Sequence, residues 1–424
     1  MKAKPAKSEA KPRKAKMNAD PIRDFYTSHP FPPPIDNLDR AREMWKDENI
    51  HRAEHHLLWP DKEYRADLDV LVAGCGTWQA AKYALSHPAA HVTAIDISPA
   101  SLEYTRELQK KYDLNNLELQ QLSIENVADL DHQFDLIMCT GVLHHMADPD
   151  AGLRALRSVL KPDGAMHLMV YGLYGRTGIY MIQEYCRRLG IGTSQEELSD
   201  LISVVEQLPE FHPLLEAQGG SRQFHNHPMT ADALLNPRDR AYSVPQLFDF
   251  VEGSGLRLTR FYWQASYLPQ CGQIAKTPHA ERLATLSERE QFTEMELWRG
   301  RMKHHTFVAH HSDSNSDEFK VYFDDERYLS YVPFRLPWTT CIQESLPPKA
   351  AGVLVNTAHQ FLDLFLVIDA KEKEIYEAID GRRTIGQIVD AVDGSGQHAR
   401  DFFQKLWRYD QVVFDTSAVI TASE

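Results

Sequence analysis

Gly74, Cys75, Gly76, Asp96 and the adjacent pair His144 and His145 are the residues whose types and spacing could do chemistry. Glycines after an apolar run let the backbone come close to a ligand. An acid 20 residues beyond Gly76 can accept both hydroxyls of a ribose. Imidazoles titrate near neutrality and can move protons. The first expectation is therefore a nucleoside-containing cofactor.

The elements that must position these groups follow from the apolar pattern. Leu68 to Ala73 is a short apolar run of the kind that forms a buried parallel strand. The glycines break it, and a helical pattern follows through Ala80, Ala81 and Ala84; His91 to Ile95 is a second strand tipped by Asp96. Ser98 and Pro99 suit the N-cap and first position of a helix running to Tyr112. Strands are expected at Leu117–Gln121, Phe134–Cys139 and Ala165–Tyr171, with a helix at Pro149–Leu160. This alternation predicts right-handed crossovers and a doubly wound parallel sheet. Ligands bind such sheets at the carboxyl ends of the strands, here Gly74–Gly76, Asp96, Leu122-Ser123 and Thr140–His145.

The chain holds 424 residues, enough for two or three domains. Its net charge of -14 argues against nucleic acid as a partner, and no apolar run reaches the ~20 residues of a membrane span. Five scattered cysteines form no C-x-x-C pair, which speaks for a reducing compartment, and cytoplasm is the expected location. Residues 1–20 are expected to be a disordered tail, with seven Lys/Arg and one Glu in the first 16. Residues 21–64 follow as an extended then helical segment: the prolines from Pro30 to Pro34 favour an extended path for 24–34 lying across the main domain. His51, His55 and His56 are expected on a partly exposed helix face.

The central domain is placed at 65–311, with a helical insertion over about 176–240 as a lid or a structural layer. A long polar helix is expected from Pro278 to Gly300, then a linker at 312–317. Residues 318–424 are expected to form a small α+β module with helices at Ile375–Gly381, Thr384–Val392 and Ala399–Tyr409 and a strand at Val412–Phe414. That module holds 11 Lys/Arg against 17 Asp/Glu, which suits a protein, peptide or dimer contact better than nucleic acid. His225 and His227 lack the further ligands a metal needs, and no metal is assigned.

Four stretches carry a resemblance: VLVAGCGTW at 70–78, AIDISP at 94–99, FDLIMCTGVLHHMADP at 134–149 and LRSVLKPDG at 156–164. In this order and spacing the chain resembles class I S-adenosylmethionine-dependent methyltransferases over about 65–172, and more loosely to 311. The resemblance implies a Rossmann-like seven-stranded sheet whose last strand is antiparallel, with Leu256–Trp263 and His304–His310 as sixth and seventh strands. It implies S-adenosyl-L-methionine as cofactor and a small molecule or a peptide or protein as methyl acceptor. Carried over, Gly74, Cys75 and Gly76 would pass the methionine part, and Asp96 would hold the ribose diol. Ile97, Ser123 and Ile124 would lie along the adenine, while Thr140 and Gly141 would line the sulfonium side. His144 and His145 would face the substrate as candidate bases, and Tyr26, Tyr171 and Tyr174 would close or line the pocket.

Three positions depart from the pattern: Ala73 where an acid is common, Trp78 where a third glycine is usual, and Leu122 where many relatives carry aspartate. The tail module resembles small winged-helix peptide-binding domains of peptide-modifying enzymes, through 375–392 and 402–414. The acceptor atom stays open among oxygen, nitrogen, carbon and sulfur. Two other readings follow from the same residues: a non-catalytic scaffold working through 318–424, and a nicotinamide-dependent oxidoreductase. The latter lacks the third glycine, since Gln79 stands in its place.

Overall fold

The computed structural model describes residues 20–218, 224–392 and 396–418. Apart from Asp20, the basic tail expected over 1–20 lies outside the described residues. Among those described, no helix is long and apolar enough to cross a membrane.

The strands form where the apolar runs lie: β1 (Asp69–Ala73), β2 (His91–Asp96), β3 (Leu117–Gln121), β4 (Phe134–Thr140), β5 (Leu160–Gly172), β6 (Ala241–Tyr242), β7 (Leu256–Phe261) and β8 (His304–His311). Their order is β3-β2-β1-β4-β5-β8-β7, and the two-residue β6 pairs beside the end of β5. β3, β2, β1, β4 and β5 are mutually parallel, while β8 runs antiparallel to both β5 and β7. This is the expected seven-strand path with its last strand reversed. Successive residues feed opposite faces: Leu71, Ile137, Leu168 and Phe307 enter one core, and Val70, Val72, Leu136 and Val308 the other. Both faces are covered, as the near-continuous apolar runs require. Strand order turns back between β1 and β4, so a cleft opens above their carboxyl ends.

Two helices differ from expectation. Pro21–Ser28 is helical and not extended, because Asp20 accepts a hydrogen bond from Ile22 N at 2.9 Å and Pro21 sits where no amide hydrogen is needed. The prolines that forbid a helix begin only at Pro30. The helix expected over 278–300 is two, Ala280–Ala284 and Glu288–Arg299, restarted by a capping box between Ser287 and Glu290. His55 and His56, expected to be partly exposed, are buried beneath the helix Glu48–Leu58. His56 stacks on Phe334, and burial pushes His55 down to about 3.

The insertion contains helices at Thr177–Leu189, Gln195–Glu206, Pro213–Gln218 and His227–Leu235. The C-terminal region adds β9 (Val332–Arg335), β10 (Thr339–Ile342), β11 (Gly352–Asn356), β12 (Phe365–Ile368) and β13 (Val412–Asp415), with helices Ala370–Glu377, Ile385–Ala391 and Gly396–Arg408. β10, β11 and β12 form an antiparallel sheet, and β9 pairs with β13. Phe334, Leu336 and Val413 belong to the same apolar core as Leu57, Trp59 and Tyr262. Buried Asp410, at φ +50°, accepts from Arg260 Nη2 and Ala265 N at 3.0 Å each. His359 Nε2 lies 3.1 Å from the same carboxylate.

Candidate functional site

A cavity of about 260 Å³ lies above the carboxyl ends of β1, β2, β3, β4 and β5. Its floor is the turn after β1. Gly74 and Gly76 take φ of +72° and +58°, a region that favours glycine. They also have no room for a side chain: a Cβ on Gly74 would meet Val142 Cγ2 at 2.4 Å, and one on Gly76 would meet Phe31 O at 2.6 Å. Gly74 N and Cys75 N both donate to Ile95 O, which pins the turn to β2.

Asp96, at the tip of β2, is held by two backbone donors: Gly76 N reaches Oδ2 at 2.9 Å and Ser98 N reaches Oδ1 at 2.8 Å. Burial raises its carboxyl above the usual range, and these backbone hydrogen bonds oppose the rise. Ile97, Ser123, Ile124, Thr140 and Gly141 line the same cavity. Cys75 does not: its side chain is fully buried in the core below, and burial pushes the thiol far up.

The segment 20–34 forms a strap over this floor. Thr77 Oγ1 donates to Pro32 O at 2.6 Å and Ser98 Oγ donates to Tyr26 O at 3.0 Å. Tyr26 thereby lines the cavity, its hydroxyl donating to Asp232 Oδ1 at 2.8 Å and accepting from Asn236 Nδ2 at 2.9 Å. Burial and the adjacent Asp232 charge raise the Tyr26 hydroxyl well above its ordinary value. Arg238 closes the ring, 3.7 Å from Asp20.

Of the two histidines, only His145 lines the cavity. They stand on a single 3-10 turn, Leu143–His145, where neighbouring side chains point about 120° apart. His145 Nδ1 lies 2.6 Å from Arg238 O; a carbonyl can only accept, so Nδ1 carries the hydrogen and Nε2 keeps a lone pair. Among the described residues Nε2 has no partner. His144 is turned into the protein, 0% exposed, its ring 3.8 Å from that of Tyr171, and burial pushes it well below the usual imidazole range. Tyr171 lines the cavity, with the Arg176 guanidinium 3.6 Å over its ring. Tyr174, 39% exposed, sits on the outer surface away from it.

Residues that the sequence reading did not single out complete the lining: Asp20 and Ile22 from the strap, Gln79, Glu125, Val142, Met146, Met169, and Asp232 from the insertion. Trp78 caps the helix Gln79–Ser86 and lines the cavity in the place of the usual third glycine. Asp232 had no local signal, since its role depends on a contact with a residue 206 positions away. Glu125 could have been suspected, three residues past Leu122, where the family's acid is missing. His225 and His227 contact Glu206 and Gln195, respectively, and no metal-ligating cluster exists among the described residues.

Residues 71–166 match the family model described as a methyltransferase domain. An uncharacterized protein of a Synechococcus strain is 33% identical over 275 residues, 63% of this chain and 65% of that protein. A malonyl-[acyl-carrier protein] O-methyltransferase of Acetivibrio thermocellus is 31% identical over 30% of this chain and 44% of its own length. The matches thus span less than two thirds of these relatives. PKMT2 from Rickettsia typhi shares the fold, with a TM-score of 0.62 at 16% identity over 91% of this chain and 77% of that one. Residues 71–166 thus match a methyltransferase domain, and the sheet built around them has the same fold as PKMT2.

Proposed function

We propose that this chain transfers a methyl group from S-adenosylmethionine to a small-molecule or protein acceptor. The observation that carries the reading is Asp96, a half-buried carboxylate fixed by the amides of Gly76 and Ser98 beside a glycine turn with no space for a Cβ. Such a carboxylate is pre-oriented for a ribose diol, and Gly74 and Gly76 line the cavity beside it. Among the described residues the cavity's lining holds no Lys or Arg, which suits a donor bearing a sulfonium and an ammonium.

On this reading Asp96 holds the ribose, Ile97, Leu122, Ser123 and Ile124 flank the adenine, and Thr140 and Gly141 lie by the sulfonium. S-adenosylmethionine supplies an electrophilic methyl carbon, so the protein's own task is alignment and exclusion of water. The strap over Gly76 and Ser98 provides the exclusion. His145, with Nδ1 committed to Arg238 O, offers Nε2 as the group that accepts the acceptor's proton. The 318–424 region, with a surface of its own, is the proposed site of any protein or dimer contact.

Calorimetry with S-adenosylhomocysteine tests the reading: micromolar binding is expected, weakened at least tenfold by Asp96→Ala. Absence of heat, or affinity indifferent to Asp96, would refute it. Radiolabelled methyl donor added to cell extract then separates protein-bound from small-molecule label.

A further inference from the structure

We infer that the acceptor is an amine, bound as its ammonium by Asp232 and deprotonated by His145 before methyl transfer; this rests on the proposed methyltransferase reading. Among the described residues the lining of the cavity contains four carboxylates, Asp20, Asp96, Glu125 and Asp232, and no Lys or Arg. Asp20 and Glu125 stand toward solvent, and Asp96 is already held by two amides. Asp232 is different. It is 5% exposed, it reaches the cavity from the insertion, and among the described residues only Tyr26 donates to it, through Oδ1. The nearby cations are committed elsewhere: Arg176 is paired with Asp239, and Arg238 with Asp20 and His145 O.

Burial raises the Asp232 carboxyl above its ordinary value, and a cation seated beside it would offset that cost of holding the charge. Anionic acceptors such as carboxylates or phosphates would be repelled by the same lining. A neutral hydroxyl would leave the charge uncompensated. An ammonium satisfies both demands. The second observation is His145, 3% exposed, lining the same cavity with an unpartnered Nε2. It packs edge-on to Tyr26, ring centroids 6.0 Å apart, and the Tyr26 hydroxyl donates to Asp232, so Tyr26 links base and anchor.

The balance is simple. The ammonium gives one proton to His145 Nε2 and becomes a neutral amine. Its lone pair forms the N–CH₃ bond as the CH₃–S bond breaks, and that electron pair stays on sulfur. The sulfonium charge thus passes to the methylated nitrogen, and Asp232 faces a cation at both ends of the step. Oxygen acceptors gain no such continuity.

The test uses the full chain loaded with S-adenosylhomocysteine and three fragments of similar length: n-butylammonium, valerate and 1-pentanol. Ligand-detected NMR titrations are expected to give butylammonium at least tenfold tighter binding than either of the others. Asp232→Asn should erase that preference while S-adenosylhomocysteine affinity stays within twofold. Equal or better binding of pentanol or valerate to the wild-type protein overturns the inference, and this comparison needs no variant. A tenfold loss of S-adenosylhomocysteine affinity in Asp232→Asn overturns it too, because Asp232 would then serve the donor's amino group. If the wild-type protein binds no S-adenosylhomocysteine, the methyltransferase reading itself fails, which calorimetry distinguishes beforehand.

Discussion

Replacing Gly76 by alanine tests whether the strap and the cofactor turn are built as one unit. Gly76 sits at φ +58°, and a left-handed backbone costs a non-glycine residue roughly 1–2 kcal/mol. The added Cβ would also lie 2.6 Å from Phe31 O and 2.8 Å from Pro32 Cδ, both part of the strap and unable to swing aside as a flexible side chain would. The strap must lift, which strains the 2.6 Å bond from Thr77 to Pro32 O and the contacts that seat Tyr26. Gly190 supplies the control: its φ is +68°, and a Cβ there meets nothing within 4 Å. Gly190→Ala therefore measures backbone strain alone. Gly76→Ala should lose at least about 1 kcal/mol more in urea unfolding than Gly190→Ala, roughly one strained hydrogen bond's worth. It should weaken S-adenosylhomocysteine at least tenfold by calorimetry and speed proteolysis within 20–34. Equal losses in the two variants, with unchanged ligand affinity, would refute the coupling of strap to turn.

Other outcomes follow from the same geometry. His145→Ala should lower kcat by about 10²–10⁴-fold, the usual range for a lost general base, with donor affinity preserved; His144→Ala should instead lower the melting temperature, and the reverse pattern would exchange their roles. His55 is held near 3 by burial against an ordinary value of 6.5, so the unfolded chain binds its proton first as pH falls. Its contribution to stability is complete above about pH 6.5 and is lost toward pH 3, at about 1.4 kcal/mol per unit. The difference in unfolding free energy between wild type and His55→Leu should therefore shrink between pH 7 and 4, and a constant difference would contradict the burial argument. Asp410→Asn should cost about 3–5 kcal/mol in denaturant unfolding, since it removes the charge that pairs Arg260, whose side chain is only 12% exposed, whereas a loss under 1 kcal/mol would mean that water reaches the pair.

The parts of the fold visible in the chain are those where pattern and period agree. β1, β2 and β4 announce themselves as apolar runs of five to seven residues, and the glycines and Asp96 fall at strand ends because the architecture puts ligands there. The helix at Pro21–Ser28 was hidden by Pro30 to Pro34, two to six residues past its end, which dominate a local reading although they lie outside the helix. β9 to β12 are four or five residues each, too short for an alternation to stand out, and β9 carries Pro333 while β11 opens on Gly352. Within the site, the choice between His144 and His145 depends on which side of one turn faces β5. Asp232 depends on the insertion folding back onto the strap. Neither is encoded in local spacing; both are consequences of packing.

Asp410 has a practical corollary. Because its carboxylate gathers Arg260, Ala265 N and His359, the C-terminal region ends as a plug in the wall of the catalytic sheet. A fragment stopped at residue 311 would uncover Tyr262 and leave Arg260, without Asp410 and Trp407, open to water. Inactivity of such a truncation would report on a breached barrel of packing, and a recognition role for the region must be sought by altering its outward side chains one at a time.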